Sequence, residues 1–279
     1  MKKQKKELKP IDLKKVKTYS IKKRKNLFKS EQFGKPIESK DFNKFIDSLP
    51  KVLAANDLRN VIDNIVKAHR KNRPVVLALG AHVIKCGLSP LVIDLMKRGI
   101  ITAVAMNGSG AIHDYEISLI GETSEDVSHS LKDGSFGMAK ETAEAIQAAA
   151  SVPDSGLGRA LGNKILKDKN KHRKDSILAV GAQLKIPVTV HVAVGTDIIH
   201  MHPCVSGSDI GESSHIDFKL LCSVVAGLEG GVWLNVGSAV IMPEVFLKAI
   251  TVARNLGRKV RDFTTVNMDM IQHYRPQMN

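Results

Sequence analysis

Residues 74–116 read PVVLALGAHVIKCGLSPLVIDLMKRGIITAVAMNGSGAIHDYE. Two apolar runs, Pro74–Leu79 and Ile100–Met106, each open into a loop of small and polar residues. Between them Ser89, Pro90 and Gly99 bracket a helix: a capping hydroxyl, a preset first-turn φ and a left-handed stop. The pattern predicts a βαβ unit, with a loop at the carboxyl end of each strand where open α/β sheets bind ligands.

The alternation continues outward. Leu58, Val61, Ile62, Ile65 and Val66 fall on one helical face before the first strand. A short helix around Ala111–Leu119 is expected, then helices over Gly137–Ala150, Leu157–Leu166 and Ser176–Leu184. Strands are expected at Val188–Val194, Gly231–Val236 and Phe263–Asn267, with helices at Phe218–Leu228 and Pro243–Leu256. Strands separated by helices predict an α/β fold: a mostly parallel, Rossmann-like sheet with helices on both faces. No repeat period or internal linker is visible. The expected division is a basic, partly disordered arm over 1–36 and a single nucleotide-binding domain over 37–279.

Composition narrows the class. The chain has 279 residues, 43% hydrophobic and 25% charged, with a net charge of +14. Residues 1–25 alone carry a net +10, from eleven Lys and Arg24 against Glu7 and Asp12. Only Tyr19 in that arm could stack on a base, so a solvated arm is expected rather than a nucleic-acid module. No apolar run approaches the roughly 20 residues needed to span a bilayer. Three cysteines (Cys86, Cys204, Cys222) without paired metal spacing suit a reducing compartment. The expectation is a cytoplasmic protein with no membrane contact.

Three segments carry candidate chemistry. Asn107-Gly-Ser-Gly-Ala follows a strand and precedes a helix, so its backbone amides could approach a phosphate. As a dinucleotide fingerprint it is incomplete, since His113 stands where the third glycine would fall. A second loop of this kind follows Val236, at Gly237 and Ser238. In His113-Asp-Tyr-Glu116, Asp114 and Glu116 could hold a cationic substrate or act as bases, or simply complement a helix dipole. In the third segment, His191, Asp197, His200 and His202, with Cys204 and His215 nearby, could offer metal ligands. No second ligand cluster is evident, so a metal site is not the favoured reading. Pro203 favours an extended Met201–His202, which would turn His200 and His202 to one side as proton-transfer groups.

These landmarks resemble deoxyhypusine synthase, an NAD-dependent homotetrameric family. The likeness runs from Gly80-Ala-His-Val-Ile-Lys-Cys-Gly-Leu through Asn107-Gly-Ser-Gly-Ala-Ile-His-Asp. It continues in Ile186-Pro-Val and Gly-Thr-Asp197, in Leu234-Asn-Val-Gly-Ser-Ala-Val, and in Ala253-Arg-Asn-Leu-Gly. The resemblance implies NAD over the strand ends near Ala81, Gly87, Asn107, Gly108, Gly110, Asp197, Gly237 and Ser238. It also implies a tetramer and a small amine-bearing substrate. The family's Trp-Gly-Lys segment has no counterpart in residues 1–279, and Met242-Pro243 stand where the family has a histidine. The expected activity is therefore a related NAD-dependent one, with His200, His202, Asp114 and Glu116 as catalytic candidates, and not deoxyhypusine synthesis itself. The alternatives are a metal-dependent hydrolase built on His200 and His202, or a nucleotide-binding protein without catalysis.

Overall fold

Alternate side chains of the central strands enter two different cores. In the computed structural model, which describes residues 13–30, 46, 53–274 and 276, Leu77, Leu79, Val104 and Met106 pack into one cluster. Val76, Ala78, Ala103 and Ala105 pack into another. A strand buried on both faces reads as a continuous apolar run, which is how these segments look in sequence. They are β2 (Val75–Leu79) and β3 (Ala103–Asn107). With β5 (Val188–His191), β6 (Val232–Val236) and β7 (Thr264–Met268) they form a five-stranded sheet of order β5-β3-β2-β6-β7. Every pairing in it is parallel. This is a Rossmann-like α/β fold, and the strand order reverses between β2 and β6.

The larger core lies under α3 (Ser89–Lys97), α4 (Gly108–Ile120), α7 (Leu157–Lys167) and α8 (Ile177–Leu184). On the same side α1 (Leu53–Arg70) sets Ala68 against Val75 and Val232. The other face is covered by α9 (Gly207–Ala226) and α10 (Ile241–Asn255), where Phe246 stacks on Trp233 at 4.3 Å. A short helix, α2 (Ala81–Lys85), follows β2, while α5 (Val127–Ser130) and α6 (Lys140–Ala150) follow β4 (Glu122–Glu125). No helix among the described residues is long and apolar enough to cross a membrane.

Several boundaries differ from the sequence expectation, each for a local reason. β3 starts at Ala103 rather than Ile100, because the amides of Ile100 and Ile101 still close onto Leu95 O after the Gly99 turn. The helix expected over Ala111–Leu119 begins at Gly108, since the Asn107 side chain accepts from Gly110 N. α9 starts eleven residues before the expected Phe218, because the Ser206 hydroxyl caps Asp209 N ahead of a polar first stretch. The segment Ile198–Met201 is a 3-10 turn, not an extended strand; the proline rule holds only for His202 itself.

Part of the arm expected over residues 1–36 is described. Residues 1–12 and 31–36 lie outside the described residues, but 13–30 pack onto the body. Ile21 is fully buried, and Tyr19 exchanges backbone hydrogen bonds with Met138 and Lys140. β1 (Asn26–Lys29) pairs antiparallel with β4, a ladder the polar sequence Glu-Thr-Ser-Glu gave no sign of. A segment dense in like charge is held because its few apolar and acceptor groups find specific partners.

Two buried carboxylates staple the layers. Asp114 accepts from Ser176 Oγ at 2.5 Å and from the amides of Ile177 and Leu178, capping α8 from α4. Asp217 Oδ2 accepts from Gly158 N and Val190 N, both at 2.8 Å, joining α9 to α7 and β5. Burial pushes Asp217 up to about 7, against which the two amide bonds work. The folded chain therefore binds this proton more tightly than the unfolded chain, whose Asp titrates near 3.9 (roughly). The resulting stabilisation is complete below about pH 4 and is lost as the pH rises through about 7. Asp217→Asn keeps an acceptor for both amides and removes the titration. Thermal unfolding from pH 4 to 8 should show the two proteins converging at the acid end, with the variant the more stable above neutrality. Parallel curves would contradict this reading.

Candidate active site

The carboxyl edge of the sheet gathers most of the loops expected to matter, at two places. At the reversal between β2 and β6, Gly80 N donates to Val236 O at 3.0 Å. A Cβ at Gly80 would fall inside the contact radius of Gly237 O, so the two loops touch through backbone. Ala81 opens α2 half-buried. Gly237, at φ 65°, donates its amide to Met268 O at 2.8 Å, and Ser238 Oγ accepts from Met242 N at 3.2 Å. Gly87 lies in the turn between α2 and α3 and is buried.

The second place is the first turn of α4, with Asn107, Gly108 and Gly110. The amide end expected to face a phosphate faces Asp197 instead. Ser109 Oγ donates to Asp197 Oδ1 at 2.9 Å, and the other carboxylate oxygen lies where a Cβ of Gly108 would be. Asp197 Oδ2 is buried with no partner, and burial raises the pKa of the group. His200 Nε2, one turn on, is likewise buried without a partner. His202 points elsewhere: its Nε2 contacts Gly137 O at 2.7 Å, and burial lowers its pKa. The 3-10 turn separates the two imidazoles that an extended segment would have aligned. His191 meets Thr189 Oγ1 at 2.9 Å within β5. Among the described residues no three His, Cys, Asp or Glu side chains gather closely enough to hold a metal ion.

Beside Ser109 opens a cavity of about 220 Å³, walled by α2, α4, β4 and the loop after β5. Its charged groups are Arg24, Lys85, Glu116 and Glu125, together with His113. Glu116 does not present a free carboxylate to it. Arg24 grips both its oxygens, at 3.1 and 2.6 Å, and the two side chains are only 4% and 1% exposed. Thr142 Oγ1 donates at 3.1 Å and Thr123 Oγ1 at 2.5 Å to the same carboxylate. Burial works against the Arg24 charge, yet Glu116 holds the guanidinium above its ordinary pKa. Glu125 accepts from Tyr19 Oη at 2.5 Å and Gly137 N at 2.8 Å. Between Thr123 and Glu125, Ser124 sits at φ 69°, a left-handed conformation that costs on the order of 1–3 kcal/mol.

His113 completes the wall, with Nδ1 2.6 Å from Thr123 Oγ1. Burial, followed at some distance by Lys85, Arg24 and His82, pushes it down to about 4 despite Glu116. Of the four side chains expected to be catalytic, Asp114 is spent on capping α8, Glu116 on Arg24, and His202 on Gly137. His200 alone keeps an unpartnered polar atom. Neither His113, read only as the break in the glycine pattern beside two carboxylates, nor Arg24 was among the expected site residues. The incomplete glycine fingerprint, broken at His113, was the available signal for the first; no pattern joins residue 24 to residue 116.

No protein-family model matches the sequence, and no curated protein matches it. Solved structures match at the level of layering. AgrE, in a ternary complex with ornithine and NAD+, shares 15% identity at a TM-score of 0.45 over 68% of this chain. A LOR/SDH protein from Methanococcus maripaludis S2 shares 14% at 0.46, covering 75% of this chain and 62% of that one. A protein assigned as a deoxyhypusine synthase from Entamoeba histolytica shares 13% at 0.39, covering 73% and 79%. The chain spans 25% of the length of AgrE. With TM-scores under 0.5, none of these likenesses carries an argument about activity.

The Arg24–Glu116 pair yields a direct test. Arg24→Met leaves a buried carboxylate without its cation and should cost about 3–5 kcal/mol of unfolding free energy in urea. Adding Glu116→Gln should recover a large part of that loss. A single-variant cost below about 1 kcal/mol, the range of exposed pairs, would mean the two charges are solvated.

Proposed function

We propose that this chain is an NAD-dependent enzyme acting on a small amine-bearing substrate, related in kind to deoxyhypusine synthase but distinct in reaction. One observation carries the reading: an all-parallel sheet whose order reverses between β2 and β6, with glycine-bearing loops on both sides of the reversal. Crevices of this kind bind nucleotides outside the carboxyl ends of the strands.

The residues suit that cofactor in a particular orientation. Asp197 already fills the amide end of α4, so the diphosphate belongs on the β2–β6 side, flanked by Ala81 and Ser238. The orphaned Asp197 Oδ2 and His200 Nε2 are then the polar atoms that ribose hydroxyls would satisfy. Gly108 and Ser109 hold Asp197 in position, Asn107 caps α4 through Gly110 N, and this turn is thus closed to phosphate; Gly87 sets the turn that leads into α3. When bound, NAD would accept hydride from a carbon next to the substrate nitrogen. The cavity beside Ser109 lies next to this edge and takes the substrate. The same reading carries a homotetramer, which light scattering on the purified chain would measure.

Calorimetry with NAD tests the cofactor. Ala81→Glu puts a carboxylate in the first turn of α2, where it leaves the fold intact but repels a diphosphate. Affinity should fall by about tenfold, on the order of 1.4 kcal/mol. Asp197→Asn, which keeps size but removes the charge at the ribose position, should weaken binding as well. Absence of binding heat from the native protein at millimolar NAD would remove the cofactor from this account.

A further inference from the structure

Thr123 has one hydroxyl proton, and Glu116 receives it, because a carboxylate paired with Arg24 accepts and does not donate. The same hydroxyl oxygen lies 2.6 Å from His113 Nδ1 and must accept there. Nδ1 therefore carries the ring proton. With the imidazole neutral, Nε2 is left as a lone-pair nitrogen. The ring lines the cavity and its side chain is 17% exposed; its one hydrogen bond among the described residues is at Nδ1. Four groups drawn from the N-terminal segment, α4 and β4 thus fix a single tautomer: Arg24 fixes Glu116, Glu116 fixes Thr123, and Thr123 fixes His113.

We propose that His113 Nε2 is the substrate-recognition acceptor of this cavity, taking a hydrogen bond from an N–H of the bound amine, with Thr123 and Glu116 as positioning residues. The amine comes from the reading above; the tautomer and the open nitrogen stand without it. A neutral acceptor reads a donor, not merely a charge. The titratable and charged groups around His113 are Glu116 on its own helix, Lys85 and His82 from α2 and Arg24 from the N-terminal segment, with Glu125 of β4 on the same cavity wall. Arg24 and Glu116 compensate one another, as do Lys85 and Glu125 in sign. A cation therefore gains little from net charge here, and selectivity rests on the hydrogen bond.

Two probes of the same charge separate these cases: n-butylammonium, which carries N–H donors, and butyltrimethylammonium, which carries none. Titrated into the full chain labelled with 15N-histidine, n-butylammonium should move the His113 Nε2 resonance. It should bind about tenfold to a hundredfold more tightly than the quaternary ion, as expected for a hydrogen bond to a charged group. In the free protein at neutral pH, His113 should show a protonated Nδ1 and an unprotonated Nε2. Thr123→Val should lose both the fixed tautomer and the preference between the probes, while Thr123→Ser should retain them. Equal affinity for the two ions, or a proton on Nε2 in the native chain, would overturn the proposal. NAD is absent from these titrations, so their outcome is independent of the cofactor test.

Discussion

A carboxylate buried at the middle of α4 constrains everything around the cavity. Glu116 is taken out of water between α4, β4, α6 and the N-terminal segment, and an unpaired charge there would cost several kcal/mol. The chain answers with three donors from three distant segments: Arg24, Thr123 and Thr142. Satisfying one side chain thereby draws the N-terminal segment, β4 and α6 onto the same helix. The β1–β4 ladder and the Tyr19–Glu125 bond extend the docking begun by Arg24.

A similar economy operates at the layers behind the site. Asp114 and Asp217 each collect backbone amides from elements that share no sequence proximity with them. Three buried carboxylates therefore have three different solutions: a guanidinium, a helix N-terminus, and a pair of amides from a helix and a strand. Burial pushes Asp217 and Asp114 up to about 7 and about 6, against the neutral hydrogen-bond donors that each one collects.

The site that results has two halves. One is a strand-end crevice of backbone and small residues, in which Asp197 occupies the helix terminus that glycines leave open. The other is a cavity lined by charges that largely neutralise each other. A neutral imidazole on its wall keeps an unspent hydrogen-bonding atom. Specificity in such a place comes from direction and tautomer more than from field strength.

Sequence alone determined the sheet. Apolar runs at Pro74–Leu79 and Ile100–Met106, a Ser-Pro start, a Gly99 stop and the glycines after each strand are local signals, and local signals are what periodicity and turn chemistry report. They were enough to assign a parallel α/β architecture and to mark Gly80–Ala81, Asn107–Gly110, Asp197 and Gly237–Ser238 as strand-end loops. The fate of each polar side chain was decided only in three dimensions. Asp114 and Glu116 looked equivalent along one helix, yet two residue steps set them roughly 200° apart around its axis, so one meets a helix terminus and the other Arg24. His200 and His202 looked aligned until the 3-10 turn at Ile198–Met201 turned them apart. His113 looked like a broken motif until Thr123, ten residues on in β4, came within hydrogen-bond distance of its Nδ1. Partner identity at long range leaves no periodic trace in a single chain, and here it is partner identity that decides which groups remain free to meet a ligand.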